Sequence, residues 1–159
     1  MQLNIKVKKT THYKNKIRAL QQKLKKINNS KIYIGYYDDQ GVHQDSGLTY
    51  VELMTIHEYG APKANIPARP ILSLTQDGGL FSPQDKTAII EAFKGVFIKN
   101  IPVETGLNKI GLYYENKGKA LFGSGALLPT VEGNPPLIGD TEQLRAKLSY
   151  RTSFTYKQG

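Results

Sequence analysis

Side chains that could carry out acid–base or metal chemistry are few in this sequence and lie far apart. The only histidines are His12, His43 and His57. His57 and Glu58 match the first half of the HExxH pattern of zinc proteases, but no second histidine follows one helical turn later. The acidic residues of segment 38–45 lack the ligand spacing of a calcium loop. We therefore predict no metal, no cofactor and no catalytic site.

Sequence motifs for phosphate binding and for nucleophilic catalysis are also missing. The chain has no P-loop, no dinucleotide fingerprint and no GxSxG turn. Cysteine is absent, which excludes disulfides and thiolate metal sites and is typical of assembly in a reducing cytosol. No apolar run has the length of a signal-peptide core or approaches the roughly 20 residues of a membrane span. We predict that the protein is not an enzyme and has no membrane partner.

Positive charge is concentrated at one end of the chain. Residues 1–31 contain ten Lys or Arg and no acid, which leaves twelve basic and thirteen acidic groups in the remainder. Residues 13–28 have apolar side chains at spacings of three and four, which predicts an amphipathic helix. Its basic residues are Lys14, Lys16, Arg18, Lys23, Lys25 and Lys26. They could contact nucleic acid or an acidic protein surface, or they could simply form a solvated helix face.

Short strand-like runs and longer helical runs make up the rest of the pattern. The predicted strands are residues 2–8, 31–37 and 147–156, and the other predicted helices are residues 48–59, 83–100, 104–122 and 140–146. Ser82 and Pro83 have the residue types of a helix N-cap and first position. Three glycines should weaken helix 104–122, each by up to ~1 kcal/mol. Helix 83–100 is the most apolar and is predicted to lie across the sheet.

The predicted fold class is α+β. We expect a mixed or antiparallel sheet of about four strands, with helices packed on one face and long loops. Residues 1–31 would form a basic strand and helix, and residues 32–159 the α+β core, within one structural domain. Residues 123–139, with four glycines and three prolines, are predicted to be a long loop.

Residues 57–72 combine signals that end a helix with residues that stiffen the chain. Gly60 fits the left-handed residue that closes a helix, and Pro62 forbids its continuation. We term residues 61–72 the proline arm, and its prolines favour an extended conformation from residue 65 onward. Such an arm could present Arg69 to a partner at little cost in chain entropy, or could be a rigid connection between two elements.

Two separated motifs resemble a known family. The first comprises HEYG at residues 57–60 and IPARPIL at residues 66–72, and the second is PLIGDTEQLR at residues 136–145. In this order and at about this separation they resemble the tail-completion and neck proteins of tailed bacteriophages, which function in virion morphogenesis. The resemblance runs from residue 32 to about residue 150. The sequence departs from the family pattern at Glu142, where the family has glycine, and at Ile71, where it has an aromatic residue.

This resemblance implies a structural virion protein at the junction of head and tail, assembled in the host cytoplasm. Such proteins form a ring, commonly sixfold, around the channel that DNA crosses, and they lack catalysis. The implied partners are copies of the chain itself, neighbouring neck, connector or tail proteins, and DNA bound without sequence specificity. An alternative from another class is a basic DNA-binding module that uses helix 13–28.

The resemblance and the stiffness of the proline arm together indicate an interface. The expected contact residues are Glu58, Tyr59, Ile66, Pro67, Arg69, Pro70, Ile71, Leu137, Thr141 and Arg145. Held between two prolines, Arg69 would pair with a carboxylate of a neighbouring subunit, because its planar guanidinium suits that geometry. Alternatively, Arg69 makes an intramolecular pair that locks the arm.

Overall fold

Helices dominate the described part of the chain, which carries one small sheet. The computed structural model describes residues 11–73, 82–122, 124 and 142–154. The chain divides into two units, Met1–Ser30 and Lys31–Gly159. In the first unit, helix α1 (Thr11–Asn28) confirms the helix predicted from the apolar spacing.

The second unit confirms the α+β class and the order of its elements. It contains β1 (Ile32–Gly35), α2 (Tyr50–Tyr59), α3 (Pro83–Phe97), α4 (Val103–Leu121), α5 (Glu142–Lys147) and β2 (Ser149–Thr152). Short 3-10 turns occur at Asp38–Gln40 and Pro62–Ala64. The predicted strand at residues 2–8 and nearly all of the predicted loop 123–139 lie outside the described residues.

The sheet is smaller than predicted. Within the described residues it consists of β1 and β2, antiparallel, with Ile32 opposite Thr152 and Gly35 opposite Ser149. The expectation of about four strands is therefore not supported. Pairing ends at Gly35, and the backbone N–H of Tyr37 donates to the side chain of Gln40 at 2.9 Å. Alternation of apolar and polar residues predicts which side chains share a face of a strand, but it does not predict how many residues pair with another strand.

An ion pair between a buried carboxylate of α3 and a partly exposed lysine connects α3 to α4. As predicted, Ser82 caps α3, since its hydroxyl accepts from the backbone N–H of Asp85, and Pro83 occupies the first position. The Asp85 side chain is fully buried, and Lys117 of α4 donates to both of its carboxylate oxygens at 3.0 and 3.1 Å. The helix that lies against both strands is α4, whereas α3 packs mainly on α4. The prediction that α3 crosses the sheet is therefore wrong.

Two glycines of α4 lie where other elements approach most closely. A Cβ added at Gly106 would lie 2.5 Å from Val96 Cγ2 of α3, and one at Gly111 would lie 2.2 Å from Cδ2 of Tyr150 on β2. Contacts between side-chain carbons are normally about 3.5–4.0 Å. These glycines reduce helix propensity locally, but they allow α4 to pack on α3 and on the sheet.

We expect Gly111→Ala to lower the free energy of unfolding by about 2 kcal/mol, even though alanine gains up to ~1 kcal/mol in helix propensity. The added methyl group must displace the Tyr150 ring and, with it, β2. Thermal unfolding followed by circular dichroism measures the effect. Asn116→Ala, at an exposed site on the same helix, is the control and should change stability by less than about 0.5 kcal/mol. A Gly111→Ala protein as stable as the wild type would contradict this packing.

Candidate assembly interface

The last turn of α2 and the proline arm cross at Gly60. Its backbone N–H donates to Ile56 O at 2.7 Å, and its dihedrals are φ 73° and ψ 173°. The predicted positive φ is confirmed, but the ψ angle lies outside the left-handed helical region. A Cβ at Gly60 would lie 2.8 Å from Ala68 N and 2.9 Å from Ile66 O. The backbone of the arm therefore passes directly over this glycine.

The proline arm turns back on itself instead of running straight from residue 65. Pro62–Ala64 forms the 3-10 turn, and Asn65 adopts the left-handed conformation with φ 57°. Ala61 and Ile66 then pair through two backbone hydrogen bonds of 2.9 and 3.1 Å. The extended prediction is wrong at Asn65, because the short polar side chain of asparagine tolerates this conformation. It is also wrong at residues 71 and 72, which are helical.

Arg69 is fully buried and lies against the last turn of α2. Its backbone N–H donates to His57 O at 2.5 Å, and its Nη1 lies 3.2 Å from His57 Nδ1. Burial, reinforced by the charge of Arg69 and by His43, lowers the pKa of His57 to about 4. The imidazole is then neutral at pH 7 and can accept from the guanidinium. In the single chain Arg69 is turned inward, and its contact with a neighbouring subunit stays a prediction.

Glu58 binds the C-terminal end of the proline arm. Its carboxylate accepts from the backbone N–H groups of Leu72, at 3.0 Å, and of Ser73, at 2.8 Å, and also from the Ser73 hydroxyl. A carboxylate at the start of a helical turn is favourable, because it satisfies free N–H groups there. His57 and Glu58, the pair that matches half of a metal motif, thus both hold the proline arm in place.

The two sequence motifs meet in one core cluster. Ile71 of the first motif and Leu144 of the second are 0% and 1% exposed. The cluster consists of Tyr50, Met54, Ile71, Phe122, Leu144 and Leu148. Polar contacts support it, since the Tyr50 hydroxyl donates to Gln143 Oε1 at 3.0 Å and the Tyr36 hydroxyl to Leu144 O at 2.9 Å. Residues about seventy positions apart in the sequence therefore form one structural unit.

Predicted contact residues differ widely in accessibility. Arg69 and Ile71 are buried, whereas Tyr59 is 77% exposed and Arg145 is exposed. The partly buried members are Glu58, Ile66, Pro67 and Pro70. Leu137 and Thr141 lie outside the described residues. The four residues at the tip of the arm, 62–65, are all exposed, although the sequence had singled out none of them as a contact.

An open cavity of about 190 Å³ adjoins Tyr59. It is lined by Tyr36, Val51, Met54, Thr55, Glu58, Tyr59 and Leu72. Ligand sites for small molecules are usually larger, at about 300–1,000 Å³, so this volume suits one or two inserted side chains. No motif indicated Val51 or Thr55, because their role depends on which face of α2 the arm leaves uncovered.

No family model, curated protein or solved structure matches this chain. Within residues 11–73, 82–122, 124 and 142–154, no group of three or more His, Asp or Glu is placed to hold a metal ion. In the same ranges, no helix has both the length and the apolar character needed to cross a membrane. Membership of the bacteriophage neck-protein family is therefore a hypothesis. It is supported by the two sequence motifs and by their packing into one core cluster.

The depressed pKa of His57 predicts a loss of stability on acidification. Unfolding exposes an imidazole with a pKa near 6.5, whereas the folded protein holds it near 4. Between these values the unfolded state binds more protons, so stability falls as pH drops from about 6.5 to about 4. Since the ring is only partly buried, solvent screening limits the loss to about 1–2 kcal/mol. Denaturant unfolding of the wild type and of His57→Gln at several pH values tests this. If the free energy of unfolding fell equally with decreasing pH in the two proteins, the prediction would be contradicted.

Proposed function

We propose that this chain is a structural subunit of the head–tail junction of a tailed bacteriophage. Copies would form a neck or tail-completion ring around the DNA channel and join the tail to the capsid in the virion. The observation that carries the proposal is the convergence of the two motifs, with Ile71 and Leu144 in one buried cluster. Chance matches to two short patterns have no reason to pack together, whereas the parts of one family fold do.

Contacts between copies would be made by the surface that the locked arm presents. That surface consists of Tyr59, the arm tip at residues 62–65 and the adjoining cavity. Because His57 and Glu58 hold the arm, its tip is ordered before a partner arrives, and little entropy is lost on binding. Exposed tyrosines often dominate such contacts, since they combine a large apolar ring with a polar hydroxyl.

The experiment is to measure the mass and shape of the purified protein, alone and with tails, by native mass spectrometry and negative-stain microscopy. We expect rings with the wild type. Tyr59→Ala should weaken assembly by about tenfold or more without changing the unfolding temperature of the unassembled subunit, since truncating an interface hot spot typically costs at least about 2 kcal/mol. Ile98→Ala is the matched control, because Ile98 is 76% exposed at the end of α3. A protein that stays monomeric with tails present and is absent from virions would refute the proposal.

A second candidate function is non-specific DNA binding through α1. The observation in its favour is that Lys14, Lys16, Arg18 and Lys25 are all exposed on this helix. Binding through phosphate contacts would weaken steeply with salt, with a slope of about −0.9 in log–log form for each phosphate neutralised. A salt titration with duplex DNA distinguishes the candidates, because tight and salt-sensitive binding by the monomer would favour this second function.

A further inference from the structure

Helix α1 carries an exposed apolar stripe at heptad spacing. Its members are Tyr13, Ile17, Leu20, Leu24 and Ile27, separated alternately by four and three residues. Tyr13 is 70% exposed, and Ile17, Leu20 and Leu24 are 50%, 47% and 51% exposed. Alternate spacings of four and three are those of the a and d positions of a coiled coil, which align along one side of a helix. We term these five residues the α1 stripe.

Both edges of the α1 stripe are basic or neutral. At the flanking e and g positions of the heptad are Lys14, Lys16, Gln21, Lys23 and Asn28. No acid occurs anywhere in α1. Charges at these positions determine which helix can pair, because they lie beside the flanking residues of the partner. A partner with carboxylates along the edges of its own apolar surface would therefore be favoured.

Other binding partners for the α1 stripe fit its side chains less well. Phosphate contacts with nucleic acid would use the lysines but leave the four exposed members of the stripe, Tyr13, Ile17, Leu20 and Leu24, in water. Parallel pairing with a second α1 would set Lys16 and Lys23 against Gln21 and Asn28, which forms no ion pair, and about two and a half heptads are short for a homodimer. In this chain α2 has acids and no Lys or Arg, but its Tyr50 and Met54 are already buried in the core.

We propose that α1 docks its stripe against the apolar face of a helix on another protein, and that carboxylates flanking that face pair with Lys14, Lys16 and Lys23. The apolar contacts supply affinity and the lysines select an acidic partner. This proposal depends on the proposed function in virion assembly in one respect only, which is that the partner of α1 is a protein. Because the peptide reports binding by α1 whether or not the copies assemble, the proposal can fail or succeed independently of ring formation.

The test uses the full chain and a synthetic four-heptad peptide with Ile and Leu at a and d and Glu at e and g. Fluorescence anisotropy of the labelled peptide measures binding. The double variant Lys14→Glu/Lys16→Glu reverses one charge on each edge of the stripe. The control variant Arg18→Glu/Lys25→Glu changes the net charge by the same amount, but on the outer surface of the helix. We expect the edge variant to weaken binding by about tenfold or more and the outer variant by less than about threefold. Leu20→Asn should abolish binding while circular dichroism remains helical.

Three outcomes would overturn the proposal. The first is absence of binding to the acidic peptide. The second is equal weakening by the two charge variants, which would show attraction without docking of the stripe. The third is tighter binding to a 20-base-pair duplex or to phosphatidylglycerol vesicles than to the peptide, which would assign α1 to nucleic acid or to an anionic lipid surface.

Discussion

Replacing Arg69 by alanine is expected to lower the free energy of unfolding by about 3 kcal/mol. Its side chain is fully buried, and Nη1 lies 3.2 Å from His57 Nδ1. Truncation leaves a large cavity beneath the proline arm and removes the side-chain contact with His57, one of several contacts that hold the arm to α2. Chemical denaturation measures the loss, and limited proteolysis within residues 61–72 should become faster as the arm is released.

Arg69→Met is the matched control for this prediction. Methionine restores most of the aliphatic volume without the charge, and an apolar residue in place of a buried charge is often tolerated. We expect it to cost about 1 kcal/mol, since it keeps most of the packing and loses the polar contacts of the guanidinium. If Arg69→Ala were as stable as the wild type but unable to assemble, the residue would act at a subunit contact and not as an internal lock.

Gly60→Ala is expected to lower the free energy of unfolding by about 3 kcal/mol or more. With φ 73° and ψ 173°, Gly60 occupies a region that is essentially restricted to glycine, where another residue costs about 1–3 kcal/mol. The added Cβ would also lie 2.8 Å from Ala68 N and 2.9 Å from Ile66 O. Since both atoms belong to the backbone, the proline arm itself would have to move.

Gly41 provides a control that separates these two costs. Its dihedrals, φ 85° and ψ −156°, are of the same kind, but a Cβ there would meet nothing within 4 Å. Gly41→Ala should therefore show the conformational cost alone, at about 1–2 kcal/mol. If Gly60→Ala and Gly41→Ala lowered the free energy of unfolding equally, close contact between the arm and Gly60 would be contradicted. Hydrogen exchange at the N–H of Arg69, which donates to His57 O, reports directly whether the arm has lifted.

Much of the secondary structure followed from residues close in sequence. Ser82 and Pro83 located the start of α3, and apolar spacing located α1, because caps and helical faces depend on neighbours within about four positions. Extended runs located both strands, although each pairs over only four residues. How far a strand pairs depends on a segment more than a hundred residues away, which no local pattern encodes.

For the candidate interface, the sequence alone identified the segments, and tertiary contacts determined which side chains face a partner. The motif residues are the same types whether they point inward or outward, so the burial of Arg69 and Ile71 could not be read from them. The exposure of Tyr59 and of residues 62–65 follows from the left-handed turn at Asn65 and from the anchoring of the arm by His57 and Glu58. Likewise, Gly111 weakens α4 locally, but contact with Tyr150 explains why glycine is needed there. Such effects arise between segments distant in sequence, and their energies exist only once the chain has folded.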